Sequence, residues 1–369
     1  MKIGIDASSV VAVFGGGKEK VIMNLLKGFD EEGMDLVVFC NESASEKIVE
    51  VCPNARLVYT GMNDKVFIWK LLKGFLFRTF KLPSFVCREK VDILLFPFPA
   101  TGFSRFNCPT VVIPHDVQYK SRPDENTGYK YKILDILYKF DFSNRDAIVA
   151  ISEYVKNEIL KHFKKDAGKV TIIYNPIEFG KPSHTAADFG ADYIFANNLM
   201  HAHKNPGVLI EAFKKLSDNG WPGKLVIAGK IWPGNSNVMT LLDSEIASGR
   251  VVYEGYVNDV RMRELLSGAC LFINPSSYEG FGMGAVEAMG MSVPCLLAEN
   301  SAVKEVTLGR AFYYSPAEDE DALAEAMRRT LEDLPSKEYL VETAGMVRGI
   351  YNYKVAVSGY ANLFKELCK

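Results

Sequence analysis

Several common features are missing from this sequence of 369 residues, and each absence excludes a class of protein. Its seven cysteines are scattered, odd in number and without a C-x-x-C pair, which argues against a disulfide framework or a cysteine zinc site. No apolar run approaches the ~18–20 residues of a transmembrane helix. The first residues, MKIGIDASS, enter a strand directly and lack the pattern of a signal peptide. We therefore expect a cytoplasmic protein with reduced thiols.

The sequence also lacks a large excess of charge, internal repeats and low-complexity segments. With 24% charged residues, 48% hydrophobic residues and a net charge of −2, its balance is that of an ordinary globular protein. Because no overall basic surplus is present, nucleic acid is not an expected partner. The length is sufficient for two domains of ordinary size.

The chain does contain a regular alternation of short apolar runs and amphipathic helical stretches. Such runs are typical of parallel strands covered on both faces, and thirteen of them are too many for one compact sheet. We therefore predict an α/β protein with two doubly wound, Rossmann-like domains. The predicted strands are 2–5, 36–40, 56–59, 93–96, 110–113, 147–151, 170–174, 193–196, 225–228, 251–253, 271–273, 294–297 and 312–314.

The domain boundary is predicted in the polar stretch 179–191, which contains Gly, Pro, Ser and Thr. This places an N-terminal domain over residues 1–180 and a C-terminal domain over residues 181–350.

The most informative stretch is 275–289, PSSYEGFGMGAVEAM, which follows the apolar run 270–273. It predicts a strand, a glycine turn and then a helix, an arrangement that presents free backbone N–H groups to an anion. Glu279 and Glu287 flank this predicted anion site. Carboxylates do not bind phosphate, but they accept hydrogen bonds from sugar hydroxyls. A phosphate cradle between two such acids suits a sugar nucleotide.

The spacing of Glu279 and Glu287, E-x7-E, resembles the signature of the retaining GT-B glycosyltransferases of family four. The resemblance extends over nearly the whole chain and implies a GT-B fold, in which two Rossmann-like domains face each other across a cleft. It implies that the last helix, within 351–369, returns to the first domain. Glu279 would face the donor sugar, Glu287 would hold the ribose, and the amides between them would take the diphosphate. The donor-binding residues of this stretch are then Phe281, Gly282, Met283, Gly284 and Glu287.

Further residues match the family at other places in the chain. Gly17, in a glycine loop that alone would be read as flexible, would have its amide near the donor phosphate. His115, after the strand in TVVIPHD, would lie near the donor sugar. Lys204 would bind the diphosphate, and the backbone of Val257 would meet the nucleobase. The catalytic residues implied by the resemblance are Glu279, His115 and Lys204.

Asn198 is the main departure from the family pattern, which usually has an arginine there. An amide can hydrogen-bond a phosphate oxygen but brings no charge, so the leaving group would be less well neutralised. No Asp-x-Asp stands on a suitable loop, so we expect no metal and no other cofactor, with Lys204 and helix dipoles carrying the diphosphate charge. The family implies front-face attack assisted by the leaving phosphate.

A dinucleotide site is a competing interpretation of the same glycines. Gly280, Gly282 and Ala285 fit G-x-G-x-x-A, with Glu305 about 20 residues further on. That fingerprint needs a tight turn directly after the strand, whereas residues 275–279 intervene here. We therefore favour the sugar nucleotide.

Segment 65–90 is strongly basic, with seven Lys and Arg residues and one Glu. Basic amphipathic segments with aromatic residues are typical of membrane-surface elements, and the alternative is a helix packed on its own sheet with a solvated basic face. Phe67 and Phe77 fall toward the basic face of a helical wheel, where an internal helix would leave them in water, so they favour the membrane. The basic face is formed by Lys70, Lys73, Arg78 and Lys81.

Together these features predict a metal-independent, retaining hexosyltransferase that uses a nucleotide-diphosphate sugar. The acceptor would be a saccharide or a polyprenyl-linked lipid, in cell-surface polysaccharide or glycolipid synthesis on the inner face of the membrane. Two alternatives stay open: a GT-B-like sugar-nucleotide epimerase, which needs no acceptor, and a non-catalytic partner subunit, which binds nucleotide without turnover.

Overall fold

The computed structural model describes residues 1–10, 16–61, 73–99, 102, 104–121, 128–180, 186–233 and 236–369. Of the residues predicted to matter, Phe67 and Lys70 lie outside the described residues. The chain forms two compact units. Unit 1 contains Met1–Glu178 and Tyr351–Lys369, and unit 2 contains Phe179–Ile350.

Unit 1 is built on a seven-stranded, fully parallel sheet with the strand order β3-β2-β1-β4-β5-β6-β7. Most of its strand residues are buried, as expected for a sheet with helices on both faces. The strands are β1 Lys2–Ala7, β2 Asp35–Cys40, β3 Arg56–Tyr59, β4 Ile93–Phe96, β5 Thr110–Val112, β6 Ala147–Ala150 and β7 Val170–Ile172.

The described helices of unit 1 include the last helix of the chain. On this helix the ring of Tyr360 packs edge-on against the ring of Phe29 on the first helix, with centroids 5.8 Å apart. At Gly28 an added Cβ would approach a methyl group of Val357 to 2.5 Å, so glycine permits this close helix contact. The helices are α1 Gly17–Glu31, α2 Ser45–Val51, α3 Leu82–Glu89, α4 Gln118–Ser121, α5 Tyr129–Asn144, α6 Glu153–Phe163 and α14 Tyr353–Leu367.

Unit 2 is built on a six-stranded parallel sheet with the strand order β10-β9-β8-β11-β12-β13. Phe213, Leu242 and Met327 from its helices are fully or almost fully buried against the apolar strands. The strands are β8 Tyr193–Asn197, β9 Lys224–Ala228, β10 Val251–Gly255, β11 Leu271–Asn274, β12 Cys295–Ala298 and β13 Phe312–Tyr314. The helices are α7 Pro206–Asp218, α8 Ser236–Ala247, α9 Asp259–Gly268, α10 Met283–Gly290, α11 Val303–Val306, α12 Glu320–Glu332 and α13 Lys337–Tyr351.

All thirteen predicted strands are present, and the predicted α/β architecture with two doubly wound sheets is confirmed. In each sheet the order of the strands switches at the first strand. In unit 1, β2 and β3 lie on one side of β1 and β4 to β7 on the other; in unit 2, β9 and β10 lie on one side of β8 and β11 to β13 on the other. Ligands of open parallel sheets bind beyond the carboxyl ends of the strands at such a switch point. The loops that follow these strands are therefore the expected place for a ligand.

The prediction for the basic segment is partly wrong. Phe77 is buried, with 3% of its surface exposed, and its ring packs near that of Phe85 at 6.0 Å. The Arg78 side chain is 14% exposed and binds the buried carboxylate of Asp6 instead of lying on a solvated face. A helical wheel assumes an unbroken period of 3.6 residues, but Phe77–Lys81 forms a π-helical turn that breaks this period.

Lys73 and Lys81 are exposed, as the wheel predicts. Among the described residues, no helix combines the length and the apolar character needed to span a membrane.

Candidate active site

In unit 2 the predicted anion cradle has the expected strand, turn and helix. Strand β11 ends at Asn274, and helix α10 begins at Met283 after Gly282, whose φ of 91° lies in the left-handed region that favours glycine. The carbonyl of Gly282 accepts the amides of Ala285 and Val286, at 3.1 and 3.3 Å. The first-turn amides of Met283 and Gly284 have no acceptor within the helix and extend from its positive end.

Glu279 lies in the turn before this helix and is held from several sides. Its Oε1 accepts hydrogen bonds from Nζ of Lys204 at 2.6 Å and from Nδ2 of Asn274 at 2.8 Å. Its backbone N–H donates to Oγ of Ser301 at 2.8 Å, and its carbonyl accepts the amide of Ala302 at 3.3 Å. The carboxylate is therefore fixed before any substrate binds.

The electrostatics of this pair favour the ionised carboxylate. Burial alone would raise the pKa of Glu279, but the charge of Lys204 and the hydrogen bonds from Lys204 and Asn274 hold it below its ordinary value of 4.5. The side chain of Lys204 is only 18% exposed and that of Glu279 only 12%, so water screens the attraction between their charges less than it would at an open surface. A fixed cation and a fixed anion thus lie side by side next to the start of α10.

The loop that carries Lys204 is tied to the loop after β11. Asn205 has a φ of 48° and is the residue just before α7, and its Nδ2 donates to the carbonyls of Pro275 and Ala317 at 3.0 and 3.1 Å. The amide of Ser277 donates to the carbonyl of His203 at 2.8 Å. These contacts keep Lys204 within reach of Glu279.

The other predicted donor residues lie near the same edge of the sheet. Asn198 directly follows β8, is exposed, and has a φ of 57°, a conformation that asparagine tolerates better than most residues. Val257 follows β10 and is half-buried, Phe281 is buried, and Glu287 is half-buried on α10. The structure therefore places these residues at the carboxyl edge of one sheet.

Sequence reasoning did not identify Asn274, Asn205 and Ser301 as part of this site. Each supports Glu279 or the Lys204 loop through a side chain. The signal available in the sequence is weak: polar residues directly after apolar strands or just before a proline helix start. The rings of His201 and His203 stack, 5.5 Å between centroids, and among the described residues no group of three metal-binding side chains is present.

In unit 1, Gly17 is the first residue of α1 and follows Gly16, whose φ is 93°. The next residue, Lys18, forms an ion pair with Asp116, 2.7 Å between Nζ and Oδ2. Burial would raise the pKa of Asp116, but the charge and the hydrogen bond of Lys18 lower it overall. The start of α1 and the His-Asp pair, separate in the sequence, thus meet at the carboxyl edge of the unit 1 sheet.

His115 is buried, and its Nε2 lies 2.8 Å from the carbonyl oxygen of Pro97. A carbonyl can only accept a hydrogen bond, so Nε2 carries the proton and Nδ1 keeps a lone pair. Burial, assisted by the charge of Lys18, lowers the pKa of His115 to about 4. At neutral pH this residue is therefore a neutral hydrogen-bonding group and not a proton donor of imidazolium type.

We expect the folded protein to lose stability on acidification through His115. The unfolded chain binds a proton at this residue as the pH falls through 6.5, whereas the folded chain stays neutral until about pH 4. The loss between these values reaches about 3 kcal/mol. Urea unfolding of the wild type and His115→Gln from pH 7 to 4.5 measures it. Identical pH dependence in both proteins, or an His115 ring that titrates near pH 6.5 by NMR, would contradict the assignment.

Comparison with known proteins gives a consistent picture. Residues 15–180 match the family model described as Glycosyltransferase Family 4, and residues 181–345 match that described as Glycosyl transferases group 1. The chain is 26% identical over 221 residues to the O-antigen chain mannosyltransferase RfbU of Salmonella typhimurium, which covers 60% of each protein. It is 22% identical to the putative glycosyltransferase EpsF of Bacillus subtilis over 89% of this chain and 88% of that one. The match to RfbU thus spans about three fifths of the relative's length.

Solved structures show the same fold. Sucrose-phosphate synthase from Thermosynechococcus elongatus superimposes with a TM-score of 0.82 at 16% identity, covering 99% of this chain and 98% of that one. HepE from Anabaena, solved in complex with UDP and glucose, superimposes with a TM-score of 0.71 at 14% identity over the full length of both chains. With the two family models meeting at residues 180 and 181, this chain belongs to the GT-B glycosyltransferases of family 4.

Proposed function

We propose that this chain transfers a hexose from a nucleotide-diphosphate sugar to a saccharide or polyprenyl-linked acceptor, with retention and without a metal. Cell-surface polysaccharide or glycolipid synthesis is the proposed setting, supported by the O-antigen relative. The observation that carries the proposal is the Lys204–Glu279 pair beside the first turn of α10. It combines a cation, a carboxylate and free amides at one sheet edge.

The two charges suit the two parts of a sugar nucleotide. The amides of Met283 and Gly284 and the ammonium group of Lys204 would bind the diphosphate, which becomes more negative as it leaves. An ammonium group has three donors, so Lys204 can bind a phosphate oxygen while it keeps its hydrogen bond to Glu279. Glu279, held ionised, would accept hydrogen bonds from hydroxyls of the donor sugar.

The residues of unit 1 would contribute polar groups rather than a charged acid or base. Neutral His115 offers Nδ1 as an acceptor for a sugar hydroxyl, and Gly17 offers a helix-start amide for a phosphate oxygen. Asn198 would add an uncharged hydrogen bond to the phosphate. Charge neutralisation would then rest mainly on Lys204.

Thermal-shift screening against UDP-, GDP-, dTDP- and CDP-sugars tests donor binding. A donor at 100 times its dissociation constant should stabilise the protein by about 2.7 kcal/mol. Glu287→Ala should weaken that donor by about 1.5–3 kcal/mol, roughly 10- to 150-fold, because a charge-assisted hydrogen bond to the ribose is lost. Glu211→Ala, an exposed acid on α7, is the control and should leave the affinity unchanged. Equal affinities of all three proteins would remove Glu287 from the site.

An assay with and without acceptor separates the alternatives to transfer. Release of nucleoside diphosphate together with a glycosidic product that keeps the anomeric configuration of the donor supports the proposal. Conversion of the sugar nucleotide in the absence of any acceptor would indicate an epimerase. Tight binding without turnover on any acceptor would indicate a non-catalytic subunit. Either of the last two results overturns the proposed function.

A lipid-linked acceptor is supported by exposed apolar side chains of unit 1 that have lysines beside them. Leu76 and Phe80 are 43% and 69% exposed, and Lys73 and Lys81 are exposed nearby in the sequence. On α5, Ile133 and Ile136 are 58% and 63% exposed between Lys132 and Lys139. The β3–β4 and β5–β6 connections cross the sheet in the same direction, so right-handed crossovers put both on one face. This face would contact an anionic membrane surface.

Vesicle flotation tests the membrane surface. Wild-type protein should float with phosphatidylglycerol vesicles at low salt and release as salt rises, because the Debye length is only about 10 Å at 0.1 M. Lys73→Glu/Lys81→Glu should weaken binding by about 2 kcal/mol or more, since each lysine at the surface contributes about 1 kcal/mol. The matched control is Lys354→Glu/Lys365→Glu on α14. A wild type that fails to float would indicate a soluble acceptor.

A further inference from the structure

A cavity of about 290 Å³ lies at the edge of the unit 1 sheet opposite to His115 and Lys18. Thr110 is the first residue of β5, Asp146 directly precedes β6, and Lys169 directly precedes β7, and all three line the cavity. Because the strands are parallel, these positions share the amino edge of the sheet, whereas His115 follows the carboxyl end of β5. The cavity is therefore separate from the candidate active site.

The lining has the chemistry of a sugar site. It contains the hydroxyls of Ser104, Thr110 and Ser143, the amide of Asn144 and the half-buried ring of Phe106. The three hydroxyls donate to Thr79, Asp146 and Lys139, so they offer oxygen lone pairs that accept from a ligand. The amide of Asn144 donates one N–H to the carbonyl of Phe140 and keeps a second N–H for a ligand. Sugar hydroxyls can both donate to such lone pairs and accept from such an N–H, and an aromatic face suits the apolar side of a pyranose. The volume is near the ~300 Å³ lower limit of small-molecule pockets, enough for about one sugar unit.

Three positively charged side chains lie at this cavity. Arg105 and Lys169 line it, and Nζ of Lys165 donates to Oγ of Ser143 in the lining at 2.9 Å. Among the residues that the structure describes, none of these three cations forms an ion pair. Burial and then the charge of Lys169 lower the pKa of Lys165, so the two ammonium groups repel each other. An anion between them would relieve this repulsion.

Asp146 is the one carboxylate among the described residues of the lining, and it offsets only one of these three positive charges. Oδ2 of Asp146 already accepts the backbone amide and the hydroxyl of Thr110, at 2.8 and 2.9 Å. The guanidinium of Arg145, also in the lining, is paired with Asp141 and stacks on the ring of Phe96, 4.2 Å from its centroid. Arg105, Lys165 and Lys169 therefore outnumber Asp146 as charges available to a ligand.

We propose that this cavity binds an anionic sugar unit, a hexose that carries a phosphate or a carboxylate. The hydroxyls, the amide and the ring would take the sugar, and Lys165, Lys169 and Arg105 would take the charge. Such a unit can come from a free sugar phosphate or from an acidic residue within a glycan chain. The proposal does not depend on the proposed transfer reaction, and a failure of either leaves the other standing.

Isothermal titration of the full chain with glucose 6-phosphate and with a glucuronate-containing tetrasaccharide distinguishes the two sources. At least one should bind saturably at one site per chain, and at least tenfold more tightly than glucose or inorganic phosphate. Lys165→Gln/Lys169→Gln should weaken that binding at least tenfold. The charge-matched control Lys161→Gln/Lys164→Gln on the neighbouring helix end, and Lys204→Ala in unit 2, should leave it unchanged.

Each other outcome overturns the proposal. Absence of saturable binding by both probes excludes the site, and equal binding of inorganic phosphate or of glucose excludes an anionic sugar as its ligand. Equal loss in the control double variant would indicate non-specific attraction to basic charge. Loss of binding in Lys204→Ala would place the ligand at the donor site of unit 2 instead. Circular dichroism of each variant confirms that the lysine substitutions leave the fold intact.

Discussion

Replacement of Lys204 by alanine is expected to lower the rate of sugar transfer by about 100-fold or more. In the proposed reaction Lys204 is the main cation on the leaving diphosphate, because Asn198 brings no charge where the family usually has an arginine. Its effect should appear mainly in turnover, since the phosphate gains negative charge as the bond to the sugar breaks. Initial rates at saturating donor, compared with the donor dissociation constant, separate turnover from binding.

The same variant is expected to be less stable, for a reason that only the structure reveals. Without Lys204, the buried Glu279 carboxylate keeps the hydrogen bond from Nδ2 of Asn274 but loses the positive charge that pairs with it. Removing one partner of a buried ion pair lowers the free energy of unfolding by about 3–5 kcal/mol, because the other charge stays buried without compensation. Since the pKa of Glu279 is lowered in the folded wild type, the stabilisation is present above pH 4.5 and is lost below it. The stability difference between wild type and variant should therefore narrow in acid.

Lys214→Ala is the matched control, because Lys214 is a 40%-exposed lysine of unit 2 that also pairs with a carboxylate, Asp218. An exposed pair contributes about 0.2–1 kcal/mol, so both rate and stability should change little. EDTA is expected to leave the wild-type rate unchanged. A Lys204→Ala variant with wild-type turnover, or an EDTA-treated enzyme that only magnesium restores, would show that Lys204 does not neutralise the leaving group.

The positions of the strands could be predicted from the sequence because the apolar pattern that marks each strand is local. Each parallel strand buries both faces and therefore appears as an apolar run, as in 93–96 and 225–228. The start of α6 depends on an equally local feature, since Oγ of Ser152, the residue just before the helix, accepts the amide of Val155 at 3.1 Å. Such features depend on a few neighbouring residues and need no knowledge of the tertiary structure.

The candidate site was predictable only as a set of residues. Glu279 and Lys204 are 75 positions apart, and their hydrogen bond depends on β8 lying next to β11, where Leu271 is opposite Ile194. The resemblance named both residues but gave each a separate role, and it did not indicate that Lys204 neutralises Glu279. Contacts between loops depend on sheet order and loop geometry, which hydrophobic periodicity does not encode.

The basic segment shows a different limit of periodicity. A helical wheel counts hydrophobic and charged residues, but it does not register that the buried carboxylate of Asp6 requires a counter-charge. Asp6 accepts Nε of Arg78 at 2.6 Å, and Nη2 of Arg78 donates to Oγ of Ser8 at 3.1 Å. At Gly102 an added Cβ would lie 2.9 Å from Cβ of Arg78, so glycine leaves room for this inward side chain.

Arg78→Ala is therefore expected to destabilise unit 1 by about 3–5 kcal/mol, because it leaves Asp6 buried without its cation. The Asp6 side chain is 1% exposed and cannot recover the loss by hydration. Urea unfolding at pH 7 measures the change in the free energy of unfolding. Arg78→Lys should restore only part of it, since an ammonium group cannot reproduce the planar contacts to both Asp6 and Ser8.

Lys81→Ala is the control on the same π-helical turn, where the exposed lysine should contribute within about 0.5 kcal/mol. A double-mutant cycle with Asp6→Asn completes the test. If the ion pair is the source of the effect, Asp6→Asn/Arg78→Ala should be more stable than the sum of the single changes predicts, because the uncompensated charge is gone. Strictly additive effects, or equal effects of Arg78→Ala and Lys81→Ala, would show that Arg78 lies in solvent as the helical wheel suggests.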